Sequence, residues 1–241
     1  MSGIPKLGPV IAIDGPAGTG KSSATLRLCE RLGFTHVDTG ALYRAIAHCV
    51  GPLREEEDVE ILNARATEVA RSAHLEFHRM PERTPANRVF VNGSDVTELI
   101  RTPEVSLRAS RVAAIPGVRA ALLGLQRRLG CQGKTILEGR DIGTVVFPDA
   151  DLKVFLTARP DVRAARRLEE LRRGGKPVPS LDEMRRQIEL RDSGDSQRAV
   201  APLKRAEDAL EIDTSDLTLE QVVEAMVQAA VARVPGLKPV A

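Results

Sequence analysis

Short apolar runs alternate with amphipathic stretches along most of this chain. Residues 10–13 are wholly apolar and stop at Asp14-Gly15-Pro16, the mark of a buried strand ending in a turn. Residues 21–32 carry a helical pattern, with Leu28 and Leu32 one turn apart and Gly33 as the stop. Further short strands are predicted at 35–38, 135–137, 152–156 and 209–212, each closing on polar residues, and 219–234 predicts a closing helix. Buried strands alternating with helices imply a parallel α/β sheet, here of five strands flanked by helices.

Two segments break the alternation. Residues 75–77 and 89–91 read as half-buried strands, with Pro81, Pro85 and Asn87 between them and the hairpin pair Asn92-Gly93 after the second. They predict a small antiparallel sheet inserted between the second and third parallel strands. The other break, 159–191, predicts two Arg-rich helices around Gly174-Gly175-Lys176-Pro177. Ser180 and Glu183 have capping-box spacing for the second helix, and Leu181, Met184 and Ile188 supply its apolar stripe. This pair reads as a mobile helical arm. The charge run from Arg54 to Asp58 fits a solvated face or a helix start.

Composition narrows the class of protein. The 241 residues are 42% hydrophobic but only 2% aromatic and lack Trp, so Leu, Ile, Val and Ala must fill the core. The interleaved aromatics that stack single-stranded nucleic acid are missing, and a net charge of +2, from 35 basic and 33 acidic residues, gives no broad basic field. No nucleic-acid partner is expected. Cys29, Cys49 and Cys131 stand apart without a paired spacing, which suits small buried thiols in a reducing compartment. No apolar run is long enough for a signal peptide or a membrane span, so a cytoplasmic protein without a membrane partner is expected.

The chemistry begins at the first turn. Gly15-Pro16-Ala17-Gly18-Thr19-Gly20-Lys21-Ser22 matches GxxxxGK[ST] in full, between a predicted strand and a predicted helix. In such a P-loop the glycines let successive N–H groups point at phosphate oxygens, and the helix adds its positive N-terminal end. Lys21 is expected at the β- and γ-phosphates, Ser22 on Mg²⁺, and Ser23 beside them as part of the ATP-binding set. The motif alone does not separate kinase, GTPase and motor. The chain has no Asn-Lys-x-Asp, which counts against a GTPase, and its Arg-rich arm and inserted sheet favour a small-molecule kinase.

Two further segments follow predicted strand ends. Asp38-Thr39-Gly40-Ala41-Leu42-Tyr43-Arg44 sets a carboxylate, hydroxyl, phenol and guanidinium together, and Glu138-Gly139-Arg140-Asp141-Ile142-Gly143-Thr144 repeats the arrangement. In open α/β sheets ligands bind beyond the carboxyl ends of the strands, so both segments suit a second anionic ligand. Helix caps and surface arginines are the plainer reading of either segment alone. Of the four histidines, His74 and His78 alternate with Leu75 and Phe77 and belong on an exposed strand face; no histidine site is expected.

With these motifs in view, the chain resembles the bacterial cytidylate kinases, a family of nucleoside-monophosphate kinases. The likeness lies in IDGPAGTGKS (13–22), DTGALYR (38–44), ASRVAAIPGVRAALL (109–123), EGRDIGTVVFPDA (138–150) and RDSGDSQRAVAPL (191–203). The resemblance implies an α/β P-loop kinase with a core (about 1–50, 116–158 and 199–241), an acceptor-binding insertion (about 51–115) and a lid (about 159–198). It implies ATP and Mg²⁺, with CMP and dCMP as acceptors, in a monomer.

Carried over residue by residue, the resemblance puts Arg44, Arg140 and Arg191 around the transferring phosphates, with Lys21, Arg140 and Arg191 as the catalytic group. Ser110, Arg119 and Asp141 read the base with Arg198 close by, Asp195 and Tyr43 hold the ribose, and Thr39 belongs to the same acceptor set. Cytosine offers acceptors at O2 and N3 and a donor at N4, which suits an Arg donor beside a carboxylate or hydroxyl. Arg163, Arg166 and Arg167 lie three to four apart on one predicted lid helix, where they could close over ATP; a solvated basic face is the alternative. Glu138 stands where part of the family has Asp, and Ser193-Gly194 is expected to loosen the lid hinge. Two other readings stay open: a kinase for another small acceptor, and a nucleotide-switched binding module.

Overall fold

The structure is a computed structural model, described here for residues 5–53, 58–79, 87–175 and 178–240. In chain order the elements are β1 (Val10–Asp14), α1 (Lys21–Leu32), β2 (Thr35–Asp38), α2 (Thr39–Val50), α3 (Val59–Ser72), β3 (Leu75–Arg79), β4 (Asn87–Val91) and β5 (Ser94–Asp95). There follow α4 (Pro103–Val112), α5 (Pro116–Gly130), β6 (Thr135–Gly139), β7 (Leu152–Thr157), α6 (Pro160–Arg173), α7 (Leu181–Gln197), β8 (Leu210–Asp213) and α8 (Leu219–Arg233). The chain divides into two compact units, residues 1–37 with 129–241, and residues 38–128.

The first unit holds a five-stranded sheet in the order β2-β6-β1-β7-β8. β1 pairs parallel with β6 on one side and β7 on the other, and every residue of β1 is buried. That is why residues 10–13 read as a continuous apolar run: a central parallel strand is covered on both faces. Ile11, Ile13, Leu28, Leu32, Ile136, Val154, Leu156, Val223 and Met226 form its core. The predicted strands all form: β2 keeps its expected range, β8 is shifted by one residue, and β1, β6 and β7 run one or two residues longer, since Asp14 extends β1, Glu138 and Gly139 extend β6 and Thr157 extends β7. After β6 the sequence gives no warning of a single π-helical turn at Ile142–Val146, where Val146 N donates to Asp141 O at 3.2 Å and Phe147 N to Ile142 O at 2.7 Å.

Within the same unit α6 and α7 have a small core of their own, with Ala164, Leu168 and Leu171 against Met184 and Ile188. Three local expectations need correcting. Leu181 is exposed, because it opens α7 before the helix reaches its partner. Ser180 does accept from Glu183 N at 3.2 Å, but the Glu183 carboxylate turns to Arg186 and Gln187, so half a capping box forms. The complete box is at α8, between Thr218 and Gln221. Finally, α7 runs unbroken through Ser193 and Gly194, so no hinge opens there.

The second unit packs α2, α3, α4 and α5 around Leu42, Ile46, Ala66, Ile100, Val112, Val118 and Leu122. Its antiparallel sheet runs β3-β4-β5, and Asn92 and Gly93 turn the β4–β5 hairpin with φ 49° and 79°. Two positive φ values in succession are what a tight type I′ turn demands, and Asn-Gly meets them at least cost. His74 and His78 are exposed on β3 and its approach, as their spacing predicts. Asp58 caps α3 through Glu60 N at 2.7 Å, the helix-start reading of the charge run, whose residues 54–57 lie outside the described chain. Pro81, Pro85 and Lys176-Pro177 lie outside it too. Cys29 and Cys131 are buried, whereas Cys49 is exposed, against expectation. Among the described residues no helix is long and apolar enough to cross a membrane.

Candidate active site

The loop from Gly15 to Gly20 is shaped by backbone that only glycine tolerates. Gly15 has φ 144°, and a Cβ there would lie 2.0 Å from the Leu156 carbonyl oxygen. Any side chain would push the loop off the end of β7. Lys21 opens α1 and is buried. Its ammonium curls back over the loop, donating to the carbonyls of Gly15 at 2.7 Å and Pro16 at 2.6 Å. Burial holds the Lys21 amine well below its ordinary pKa, and the positive charges of Arg140 and Arg191 push the same way against the pull of Glu138. A buried ammonium at the start of a helix, with arginine charge near it, favours an anion at this loop. Phosphate is the anion this loop is built for.

Glu138, at the end of β6, is 4% exposed. One oxygen accepts from Ser22 Oγ at 2.9 Å; the other lies 2.9 Å from His36 Nε2 on β2. His36 was missed by the expectation that no histidine takes part. Its signal is faint: a single polar residue within a four-residue strand.

The segment after Glu138 is anchored from below. Asp14 accepts from Ile142 N at 2.9 Å and Gly143 N at 2.8 Å, while burial raises its carboxyl to about 6 against those two bonds. Arg140 and Asp141 thereby project from a fixed turn. Arg140 Nε donates to Asp195 on α7 at 3.0 Å; Arg198 donates to Asp141 at 3.3 Å and lies 3.7 Å from Asp195. The four side chains are at most 18% exposed, so they form one buried alternating network. Buried charges at this density persist only when each is paired.

The lid arginines differ among themselves. Arg163 is 7% exposed, donates to Ala17 O at 3.1 Å and Ala158 O at 3.0 Å, and pairs with Asp192. Arg166 donates to Thr214 Oγ1 at 2.9 Å and Thr214 O at 2.6 Å; that hydroxyl in turn bonds Thr19 O at 3.0 Å. Both therefore brace the P-loop's surroundings. Arg167 pairs with Glu170 on its own helix at 2.6 Å and is more exposed than Arg163.

In the second unit Asp38 caps α2, accepting from Ala41 N at 3.1 Å, and pairs with Arg44 at 2.6 Å. Tyr43 is buried, and the Arg119 guanidinium lies 5.3 Å from its ring centroid. Arg119 also donates to Ala113 O at 3.2 Å, which fixes its plane. Gln126, 1% exposed, reaches the Tyr43 hydroxyl at 3.4 Å; this buried polar residue on α5 was not anticipated. Thr39 is buried in the first turn of α2, and Ser110 is half-buried on α4.

A parallel sheet with a glycine loop, a buried lysine and converging arginines defines a P-loop kinase fold with an anion site at its strand ends. The Cytidylate kinase family matches residues 11–232, and the chain belongs to that family. A cytidylate kinase of Desulfitobacterium hafniense (strain Y51) is 49% identical over 218 residues, covering 89% of both chains. One from Syntrophotalea carbinolica is 46% identical over 227 residues, covering 93% of this chain and 92% of its own. A bifunctional pantoate ligase/cytidylate kinase of Prochlorococcus marinus (strain MIT 9313) is 48% identical over 94% of this chain. The chain spans less than half of such bifunctional relatives, 44% in that case. Among solved structures, a shikimate kinase from Acinetobacter baumannii aligns over 94% of this chain and 95% of its own at 15% identity and a TM-score of 0.44, too distant for a reading of substrate.

Proposed function

We propose that the chain transfers the γ-phosphoryl group of ATP to the 5′-phosphate of CMP or dCMP, giving ADP with CDP or dCDP. The observation that carries this reading is the 2.9 Å bond between the P-loop hydroxyl of Ser22 and the buried Glu138, which joins the P-loop to the segment whose next side chains, Arg140 and Asp141, lie in the buried charged network. A nucleotide switch needs the loop; a transferase also needs positive charge to spread over the moving phosphoryl group.

The acceptor phosphate oxygen is already anionic, so no general base is required. In this reading residues 15–23 hold the ATP phosphates, and Lys21 exchanges the Gly15 and Pro16 carbonyls for phosphate oxygens. Arg44, Arg140 and Arg191 meet the transferring phosphates. Ser110, Arg119 and Asp141, with Arg198, read cytosine; Asp195, Tyr43 and Thr39 orient the ribose side. Arg166 and Arg167 belong to a lid at 159–198 that closes to exclude water, while 51–115 serves the acceptor. The Ser22 hydroxyl and Glu138 carboxylate, 2.9 Å apart at the start of α1, are the oxygen donors that suit Mg²⁺, an ion that keeps several waters and shares phosphate ligands. Bound there, Mg²⁺ neutralises charge on the phosphate oxygens. A monomer acting in the cytoplasm completes the reading.

The test is a coupled assay of ADP release with CMP, dCMP, UMP, AMP or no acceptor. Turnover is expected only with an added monophosphate, and most with the cytosine pair. ATP hydrolysis indifferent to acceptor would overturn it.

A further inference from the structure

His36 is a buried imidazole, 8% exposed, beside a carboxylate that is 5% exposed. It comes from β2, the edge strand beside β6 in the sheet, whereas Ser22 comes from the start of α1. Glu138 lies between them, with one oxygen 2.9 Å from each neighbour. A carboxylate oxygen accepts, so the bond to His36 calls for a hydrogen on Nε2.

A glutamate has three side-chain torsions, and its carboxylate can swing unless both ends are tied. Ser22 is a tie that must be released. When its hydroxyl turns to a phosphate-bound cation, the Glu138 oxygen it held becomes available to the same cation or to that cation's water. The bond to His36 uses the other oxygen and can persist through that exchange. A buried carboxylate held at one oxygen can offer the other in a fixed direction, as outer neighbours do for metal-binding side chains.

We infer that His36 is a positioning residue for phosphoryl transfer: it holds one oxygen of Glu138 so that the other stays aimed at Ser22 and the cation corner of the P-loop. The inference rests on the kinase reading above, and its test separates the two. Binding of Mn²⁺ in the presence of the β,γ-imido analogue of ATP, without acceptor, is followed by electron paramagnetic resonance for wild type, His36→Leu and His36→Gln. The leucine keeps bulk without a donor; the glutamine amide reaches about as far as Nε2. His36→Leu should weaken Mn²⁺ binding roughly tenfold, and His36→Gln should restore most of it. The Mg²⁺ requirement for turnover should rise in step while KM for CMP stays put. Should His36→Leu fail to fold, His36→Asn decides, because its shorter amide falls short of Glu138 and must show the same weakening. Wild-type affinity in a folded leucine or asparagine variant would overturn the inference, as would a glutamine variant no better than leucine. Failure of wild type to bind Mn²⁺ with the analogue would instead remove the kinase reading itself.

Discussion

Lys21 and its neighbours in the unit built on the parallel sheet are held differently from Arg119 in residues 38–128, although Arg44 there is ion-paired with Asp38 as the first unit's arginines are with their carboxylates. In the unit built on the parallel sheet, cationic side chains are tied to carbonyls and carboxylates: Lys21 to two loop carbonyls, Arg140 to Asp195, Arg198 to Asp141. In residues 38–128, Arg119 lies over the Tyr43 ring and is pinned by a carbonyl. On the proposed function the first arrangement is a set of partners that phosphate oxygens would replace. On the same proposal the second is a platform whose shape would precede the ligand. Charge that must follow a moving phosphoryl group benefits from exchange; recognition of a flat base benefits from preorganisation.

The largest effect that would break this division is on the exchange side. Lys21→Ala should lower kcat at least about a hundredfold, about 3 kcal/mol at the transition state, while the melting temperature holds or rises, since the lost ammonium is buried and destabilised. A variant with a tenth of the wild-type rate would remove Lys21 from the chemistry. Arg119→Met comes next. One charge-assisted hydrogen bond contributes about 1.5–3 kcal/mol, so KM for CMP should rise roughly ten- to a hundredfold with KM for ATP nearly unchanged. Equal shifts in both would make Arg119 structural.

The division was only partly legible in the sequence. β1, α1 and the P-loop could be read from residues 10–32 because local rules coincide there: a buried parallel strand, glycines with positive φ and a helix start. The antiparallel sheet was legible from Asn92-Gly93 for the same reason. His36, Gln126 and the tether from Asp14 to Ile142 were not. Each is a polar residue whose partner is 83 to 128 positions away, and no periodicity encodes such a pairing. The half-formed box at Ser180 failed differently: the spacing was right, but Arg186 and Gln187 outcompeted a backbone N–H for the Glu183 carboxylate.

Smaller effects sharpen the comparison. Asp195→Ala should cost about tenfold in kcat/KM for CMP and dCMP alike, because Arg140 and Arg198 lose a shared buried partner. A further few-fold loss confined to CMP would come from the ribose 2′-hydroxyl; a strictly equal loss would leave Asp195 as a support for the arginines. The smallest effect is at Gly194, inside α7 with open space where a Cβ would point. Gly194→Ala should stabilise the protein by about 0.4–1 kcal/mol and leave kcat unchanged, as a continuous helix requires. Slower turnover would restore a hinge there.

The division of labour is tested most directly by calorimetric titration of CMP, and separately of the imido analogue of ATP with Mg²⁺, into Lys21→Ala and Arg119→Met. A crossover is expected. Arg119→Met should lose roughly ten- to a hundredfold in CMP affinity and keep the analogue, while Lys21→Ala keeps CMP and loses the analogue. Variants that weakened both ligands to the same degree would contradict it.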